Sequence, residues 1–180
     1  LLAFADNRTA LIEKIKQIYS NTGLNLPKLE KDNEIVDIDP FTVFGLFNRN
    51  LSDKKRIAIL NEIKVLFQIS SPVPENFDGI PTLNAQNANF YYFIDERSAN
   101  DIDNLWALFR LALSYADTQM YEAEFSKAFN TAVAQSNVKW NITMGLFWIR
   151  PLHFLGLDAC TRKMLENNGN RFLPEPDVRK

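Results

Sequence analysis

The sequence predicts a mainly α-helical fold, an irregular orthogonal bundle of about seven helices in one domain with at most one short strand pairing. Two observations support this class. Apolar residues recur at spacings of three and four along most of the chain, which is the period of a buried helical face. Only residues 90–94, with the sequence Phe-Tyr-Tyr-Phe-Ile, have the aromatic density that is typical of a strand.

The most apolar stretch, residues 140–151, is predicted to contain the central helix. Its apolar side chains cover a face that is too broad for a surface helix, so we expect burial nearly all round. These side chains are Trp140, Ile142, Leu146, Trp148 and Ile149. Pro151 ends the helix because it has no N–H to donate. We expect Trp148, and Trp106 on another long helix, to be largely buried.

The N-terminal half contains three predicted helices. Residues 4–20 form an amphipathic helix that Gly23 stops. Asp39 and Pro40 open a short helix, and Ser52 caps a third. One face of the short helix carries Phe41, Phe44 and Phe47. The expected buried stripe of the third helix consists of Ile57, Leu60, Ile63 and Phe67.

The C-terminal half contains three more predicted helices, all of which follow the strand candidate in the chain. Ser98 and Asp101 resemble a capping box, so a helix begins there. Its buried face consists of Ile102, Leu105, Trp106, Phe109 and Leu113. A further helix spans about residues 121–135, and its inward side chains are Phe125, Phe129 and Val133. Asp158 is a good N-cap for a last helix.

The 180 residues are about the length of one domain. Residues 1–166 are predicted to form a single helical domain, and residues 167–180 a frayed tail or linker. The chain begins with Leu1 rather than Met, so we expect it to be a piece of a longer protein. A single cysteine, no secretory signal and no apolar run of roughly 18 residues favour the cytoplasm.

Residues that could carry chemistry are few, and we predict no catalytic site, no metal site and no cofactor in this segment. His153 and Cys160 are the only residues of their kinds, too few for zinc, and no supporting motif makes them a nucleophile and base. Asp101 and Asp103 point to different sides of a helix start, so capping explains them better. The sequence has no glycine-rich phosphate-binding motif.

The charges are unevenly distributed although the net charge is only −2. Residues 41–72 contain five basic and two acidic residues, and residues 140–180 contain six basic and four acidic residues. Residues 73–105 instead contain one basic and six acidic residues. Basic zones can contact phosphates, and amides can read base edges. The candidate DNA-contacting residues are Arg49, Lys54, Lys55, Arg56, Asn84, Gln86, Asn87, Asn89, Arg162 and Lys163. The alternative is that they are solvated surface charges and ordinary loop amides.

Several longer strings together resemble one known family. They are Ile38-Asp-Pro-Phe-Thr-Val-Phe-Gly-Leu-Phe-Asn48, Arg56-Ile-Ala-Ile-Leu60, Phe77-Asp-Gly-Ile-Pro81 with Leu83-Asn84, Asp101-Ile-Asp-Asn-Leu-Trp106, and Trp140-Asn-Ile-Thr-Met-Gly-Leu-Phe-Trp-Ile-Arg-Pro151 with Leu157, Asp158 and Arg162. Over about residues 36–165 the chain is similar to the region before the AAA+ motor of McrB-type proteins. These proteins are the GTP-driven subunits of modification-dependent restriction complexes.

The resemblance implies a non-catalytic DNA-recognition module for such a motor. The implied partners are DNA, including modified DNA, and a McrC-like nuclease subunit that acts through the motor. Two other functions stay open. One is a protein-interaction or structural docking module that does not bind DNA. The other is a helical base-excision glycosylase, because Leu157 and Asp158 precede a helix, although the Gly-rich turn of that fold is missing. A contiguous basic groove would favour DNA recognition, and a large uncharged apolar patch would favour docking.

Overall fold

The computed structural model describes residues 1–32 and 34–167, and this part of the chain is mainly helical. Its seven α-helices are α1 (Arg8–Thr22), α2 (Pro40–Gly45), α3 (Asp53–Leu66), α4 (Asp101–Thr118), α5 (Glu122–Val133), α6 (Asn141–Ile149) and α7 (Ala159–Asn167). The predicted fold class is therefore confirmed. None of the helices in the described part is both long and apolar enough to span a membrane. The predicted tail lies outside the described residues, except for Asn167, which ends α7.

The first helix is shorter at its start than the sequence predicts. Residues 2–4 form a separate 3-10 turn, and α1 begins at Arg8 because the side chain of Asn7 accepts a hydrogen bond from the helix. Gly23 follows the last residue of α1 with φ of 66°. Glycine adopts this left-handed conformation without the steric penalty of a Cβ, so the predicted stop is confirmed.

Two predicted N-caps are confirmed by their hydrogen bonds. The carboxylate of Asp39 accepts from Phe41 N at 2.8 Å and from Thr42 N at 3.0 Å, and so caps α2. Asp158 accepts from Thr161 N at 2.7 Å in the first turn of α7. A side-chain oxygen at this position satisfies backbone donors that have no partner inside the helix.

The helices pack around one aromatic centre. α4 packs along α5, α1 packs along α3, and α2 lies against both α4 and α6. Phe41 of α2 is fully buried, and its ring centroid lies 5.9 Å from the centroids of Phe90 and Phe109. Trp106 is fully buried, as predicted, and its indole N–H donates to the Ile38 carbonyl at 3.0 Å. The short helix α2 is thus enclosed by the longer ones.

Six of the nine residues of α6 are buried and the other three are half-buried. Leu146 and Ile149 are buried, but Trp140 and Trp148 are only half-buried. Trp148 packs against the core without being fully enclosed. The reason is that Trp148 lines an apolar cavity, while its indole N–H donates to the Pro81 carbonyl at 2.9 Å.

The buried sides of α3 and α5 also differ from the predicted stripes. The buried residues of α3 are Arg56 and Ile59. The predicted stripe is half-buried along its whole length: Ile57, Leu60, Ile63 and Phe67. The last three of these line the apolar cavity instead of filling a core. The predicted inward residues of α5, Phe125, Phe129 and Val133, are likewise half-buried, and the small Ala132 is the residue that α5 buries.

Residues 90–94 do not form the predicted strand. Side chains from other elements hold their main chain, since Phe90 N donates to Thr42 Oγ1 and Ile94 N donates to Glu30 Oε2, both at 2.9 Å. These bonds satisfy the backbone groups that a strand would present to a neighbour. In the described part of the chain, the one β-type pairing is an isolated parallel bridge between Arg49 and Leu83.

Candidate nucleic-acid interface

Two lysines of the candidate interface stand in the first turn of α3. Lys54 and Lys55 are exposed and follow Asp53, and Ser52 occupies the predicted N-cap position without a side-chain hydrogen bond to the helix. Two positive charges at the positive end of a helix dipole are mildly unfavourable by themselves. A phosphate near this turn would relieve that repulsion, because helix N-termini attract anions.

Arg56 is buried inside the domain, with 3% of its surface exposed. Its Nε donates to the Phe47 carbonyl at 2.9 Å, and its Nη2 donates to Asn48 Oδ1 at 2.6 Å. The guanidinium carbon lies 3.6 Å from the ring centroid of Phe77, a cation–π contact. Burial lowers the pKa of Arg56 from its ordinary value. The expected contact of Arg56 with DNA is therefore corrected to a structural role.

Arg49 is also buried and bonded within the domain. Its Nε donates to the Gly45 carbonyl at 3.0 Å, and its Nη2 donates to Asn89 Oδ1 at 3.2 Å. Burial lowers its pKa as well. Asn89 in turn donates to the Lys28 carbonyl at 3.3 Å. The prediction that Arg49 contacts DNA is therefore also corrected to a structural role. The side-chain amide of Asn89 likewise makes hydrogen bonds within the fold.

The amide-rich loop is anchored at one end and exposed at its tip. Asn84 and Gln86 are exposed, and Asn87 is half-buried. Asn84 Oδ1 accepts from Asn87 N at 2.8 Å and closes a turn, while Asn141 Nδ2 on α6 donates to the Asn87 carbonyl at 3.0 Å. Gln86 at the tip is thus presented by a loop whose main chain is fixed.

Asn48 connects the lysine turn to the amide loop. Its side-chain oxygen accepts from Arg56, and its carbonyl accepts from Leu83 N at 3.0 Å. Lys55 directly precedes Arg56, and Asn84 directly follows Leu83. Asn48 therefore links the first turn of α3 to the start of the amide loop from inside the domain, a link that the sequence does not indicate. We call the exposed side chains of these two segments the lysine–amide surface; it comprises Lys54, Lys55, Asn84 and Gln86.

The last two candidates lie on α7. Lys163 is exposed, and Arg162 is half-buried with its guanidinium carbon 5.2 Å from the ring centroid of Trp140. None of the side chains of α7 is buried. The helix therefore lies at the edge of the described domain.

One family model, described as a domain of unknown function (DUF8425), matches residues 1–177. The chain belongs to the DUF8425 family. No curated protein and no solved structure matches it.

The DUF8425 domain contains four further residues that the sequence analysis weighed for chemistry. His153 and Cys160 are both exposed. Asp101 accepts from Ser98 N at 3.0 Å, in agreement with the capping interpretation, and Asp103 pairs with Arg8. Among the described residues, no three His, Cys, Asp or Glu side chains are grouped so that they could hold a metal ion.

Sequence reasoning missed two features of the DUF8425 domain. One is the buried ion pair between Glu30 and Arg97, which fixes the loop before α4 against the connector after α1. The other is the apolar cavity beside α3. The sequence signal for both is weak, because an acidic connector and a dense apolar segment do not reveal which charges are buried or which space is left open.

Proposed function

We propose that this domain is a non-catalytic DNA-recognition module of a McrB-type restriction motor. The observation that carries the proposal is the lysine–amide surface: two exposed lysines and two exposed amides belong to segments that Asn48 links from inside the domain. The resemblance of residues 36–165 to the region before such motors supports the same role. On this proposal, a McrC-like nuclease is the partner of the motor, the module needs no cofactor, and the complex acts in the cytoplasm.

The lysines and the amides have different tasks in this proposal. Lys54 and Lys55 contact phosphates and position the domain, because a phosphate offsets their repulsion with the α3 dipole. Gln86 and Asn84 read base edges, since a carboxamide offers both a donor and an acceptor. Lys163 and Arg162 on α7, and Asn87 beside the loop tip, are secondary candidates. Arg49, Arg56 and Asn89 hold this arrangement from inside.

The test is a fluorescence anisotropy titration of methylated and unmethylated duplexes at two salt concentrations. The double variant Lys54→Glu/Lys55→Glu should weaken binding of both duplexes alike and reduce the salt slope by about 2, one unit for each phosphate that is no longer neutralised. Gln86→Ala should change the preference between duplexes and leave the salt slope unchanged.

The matched control is Lys127→Glu/Lys139→Glu, which reverses two other exposed lysines and alters the net charge by the same amount. It should bind nearly as the parent does. If both double variants lose binding equally, only net charge matters and the lysine–amide surface has no special role. If the parent binds no duplex at low salt, either alone or within the assembled motor, DNA recognition is excluded.

A second candidate function, protein docking without DNA, is favoured by exposed apolar side chains near the α4–α5 turn. Leu152 is 94% exposed, and Met120 and Tyr121 are more than half exposed. The pair between Arg150 and Asp117, at 2.8 Å, joins the two segments that carry them. If the duplex titrations fail, Leu152→Glu should abolish association with the motor or nuclease subunit, whereas it should leave DNA binding intact if the first proposal holds.

A further inference from the structure

An apolar cavity of about 450 Å³ lies between α1, α3, the end of α2, the loop after α3 and the end of α6. Its wall is formed by aliphatic and aromatic side chains, among them Ile18, Phe44, Leu60, Ile63 and Trp148. The volume falls in the range of roughly 300–1,000 Å³ that is usual for small-molecule sites. Among the described residues, no Asp, Glu, Lys or Arg side chain belongs to this wall.

Three polar groups in the wall are already engaged with the protein. Tyr19 Oη donates to the Leu46 carbonyl at 3.1 Å, and the indole N–H of Trp148 donates to the Pro81 carbonyl. Asn48 Oδ1 accepts from Arg56. Burial raises the pKa of Tyr19 to about 12, so its hydroxyl stays neutral at physiological pH. A polar or charged ligand would lose its hydration here without an equivalent partner.

Parts of the wall are fixed before any ligand arrives. Phe77 lies against the buried guanidinium of Arg56, and the ring of Phe44 packs at 5.8 Å from that of Phe47. The rim carries Ile69 and Ile80, which are 44% and 38% exposed. A wall held in place in this way loses little conformational entropy on binding.

We propose that this cavity is a binding site for a small, neutral, hydrophobic molecule, for which naphthalene is a suitable probe because a cavity of about 150 Å³ already holds benzene. Apolar cavities take such molecules because transfer from water to an apolar wall is favourable and no polar group is left unpaired. The site is independent of the lysine–amide surface, and its ligand would occupy the side of α3 that Leu60 and Ile63 line.

The test uses naphthalene and 1-naphthoate, which share the same rings but differ in charge. Titration calorimetry should show saturable binding of naphthalene, and thermal unfolding should show a rise in Tm in its presence. Binding of 1-naphthoate should be at least about tenfold weaker because its carboxylate loses its hydration in a wall without Lys or Arg side chains. Equal affinity for the two probes, or no binding of naphthalene, would overturn the proposal.

Cavity-filling variants locate the site. Leu60→Trp places a large ring in the cavity and should weaken naphthalene binding at least about tenfold. The matched control is Val65→Trp on the same helix, at a position that is 70% exposed and outside the wall, and it should bind as the parent does. If Leu60→Trp does not fold, Ile63→Phe serves instead. Loss of binding in the Val65 variant, or retention in the folded cavity variant, would place naphthalene elsewhere and refute the assignment. Lys54→Glu/Lys55→Glu should bind naphthalene normally, so this proposal and DNA recognition can fail separately.

Discussion

The buried carboxylate of Asp39 combines a favourable and an unfavourable interaction at one residue. Its Oδ1 accepts the two backbone hydrogen bonds that begin α2, while its Oδ2 is buried without a hydrogen-bond partner among the described residues. Burial raises the pKa of Asp39 to about 6, although the hydrogen bonds from Thr42 and Phe41 act in the opposite direction. Folding therefore favours the protonated acid relative to the unfolded chain.

This raised pKa predicts a specific pH dependence of stability. The folded state binds the proton more tightly than the unfolded chain, whose Asp titrates near 3.8. The tighter proton binding stabilises the folded state by about 3 kcal/mol in all. This stabilisation is fully present below pH 3.8 and is lost as the pH rises through about 6. Asp39→Asn keeps a capping oxygen but cannot ionise. Relative to the parent, its free energy of unfolding in urea should improve by about 2–3 kcal/mol between pH 4 and pH 7.

The control for this experiment is Asp6→Asn, which changes an exposed carboxylate. Its difference from the parent should stay nearly constant with pH. A constant difference for Asp39→Asn as well would mean that the buried carboxylate titrates as it does in the unfolded chain.

Gly45 is required by the close approach of another backbone. A Cβ at this position would overlap the carbonyl oxygen of Ala88, and a main-chain oxygen in a packed loop cannot move aside easily. We expect Gly45→Ala to lower the free energy of unfolding by about 1–3 kcal/mol, as overpacking usually does. Gly156→Ala should have a smaller effect, because its nearest neighbour is the flexible Met144 side chain, with the sulfur at 3.0 Å. Thermal and urea unfolding of both variants would compare them, and equal losses would contradict this account.

At the scale of elements, Arg56 is one of the two buried residues that attach α3 to its surroundings. Arg56→Met should lower the free energy of unfolding by about 3–5 kcal/mol, because the Phe47 carbonyl and Asn48 amide lose their donor in a buried place. The neighbouring Lys55→Met removes the same charge from an exposed position and should alter stability by only about 0.5 kcal/mol. Urea unfolding of the pair gives the comparison. Similar small effects of the two changes would show that the buried guanidinium has little structural role.

Much of the element order can be predicted because its signals are local. Asp39 and Pro40 cap and start α2 through groups within three residues of each other, and Gly23 ends α1 through its own φ. Residues 90–94 are predicted as a strand because the dense aromatic side chains are the only structural signal within the segment itself. The side chains of Thr42 and Glu30 that satisfy its main chain lie 48 and 64 residues away in sequence, and no local pattern contains them.

The candidate interface is predictable only in part for the same reason. Lys54 and Lys55 are exposed as expected, but Arg56, the next basic residue, is buried against Phe77. The sequence shows a run of three positive charges and does not distinguish the one that turns inward. The link between this turn and the amide loop depends on Asn48, whose partners Arg56 and Leu83 are distant in sequence from each other.

Across the whole molecule, burial is concentrated in the centre and falls toward the C-terminal end of the described residues. The core is a continuous cluster that includes Leu11 of α1, Phe41 of α2, Ile59 of α3, Trp106 of α4 and Ile142 of α6. α7 contributes no buried side chain. Local opening is easiest where few apolar contacts must be broken, so the domain should have a gradient of local stability rather than one uniform value.

Native-state hydrogen exchange should reveal this gradient directly. The amides in the middle of α4, which buries seven side chains, should exchange only through global unfolding and match the free energy from urea. The amides of α7 should exchange much faster, because the Asp158 cap contributes only about 1 kcal/mol to helix stability. α1, with five buried side chains, is the internal comparison and should behave as α4 does. Protection of α7 equal to that of α4 would mean that contacts beyond those of the described residues hold this helix on the domain.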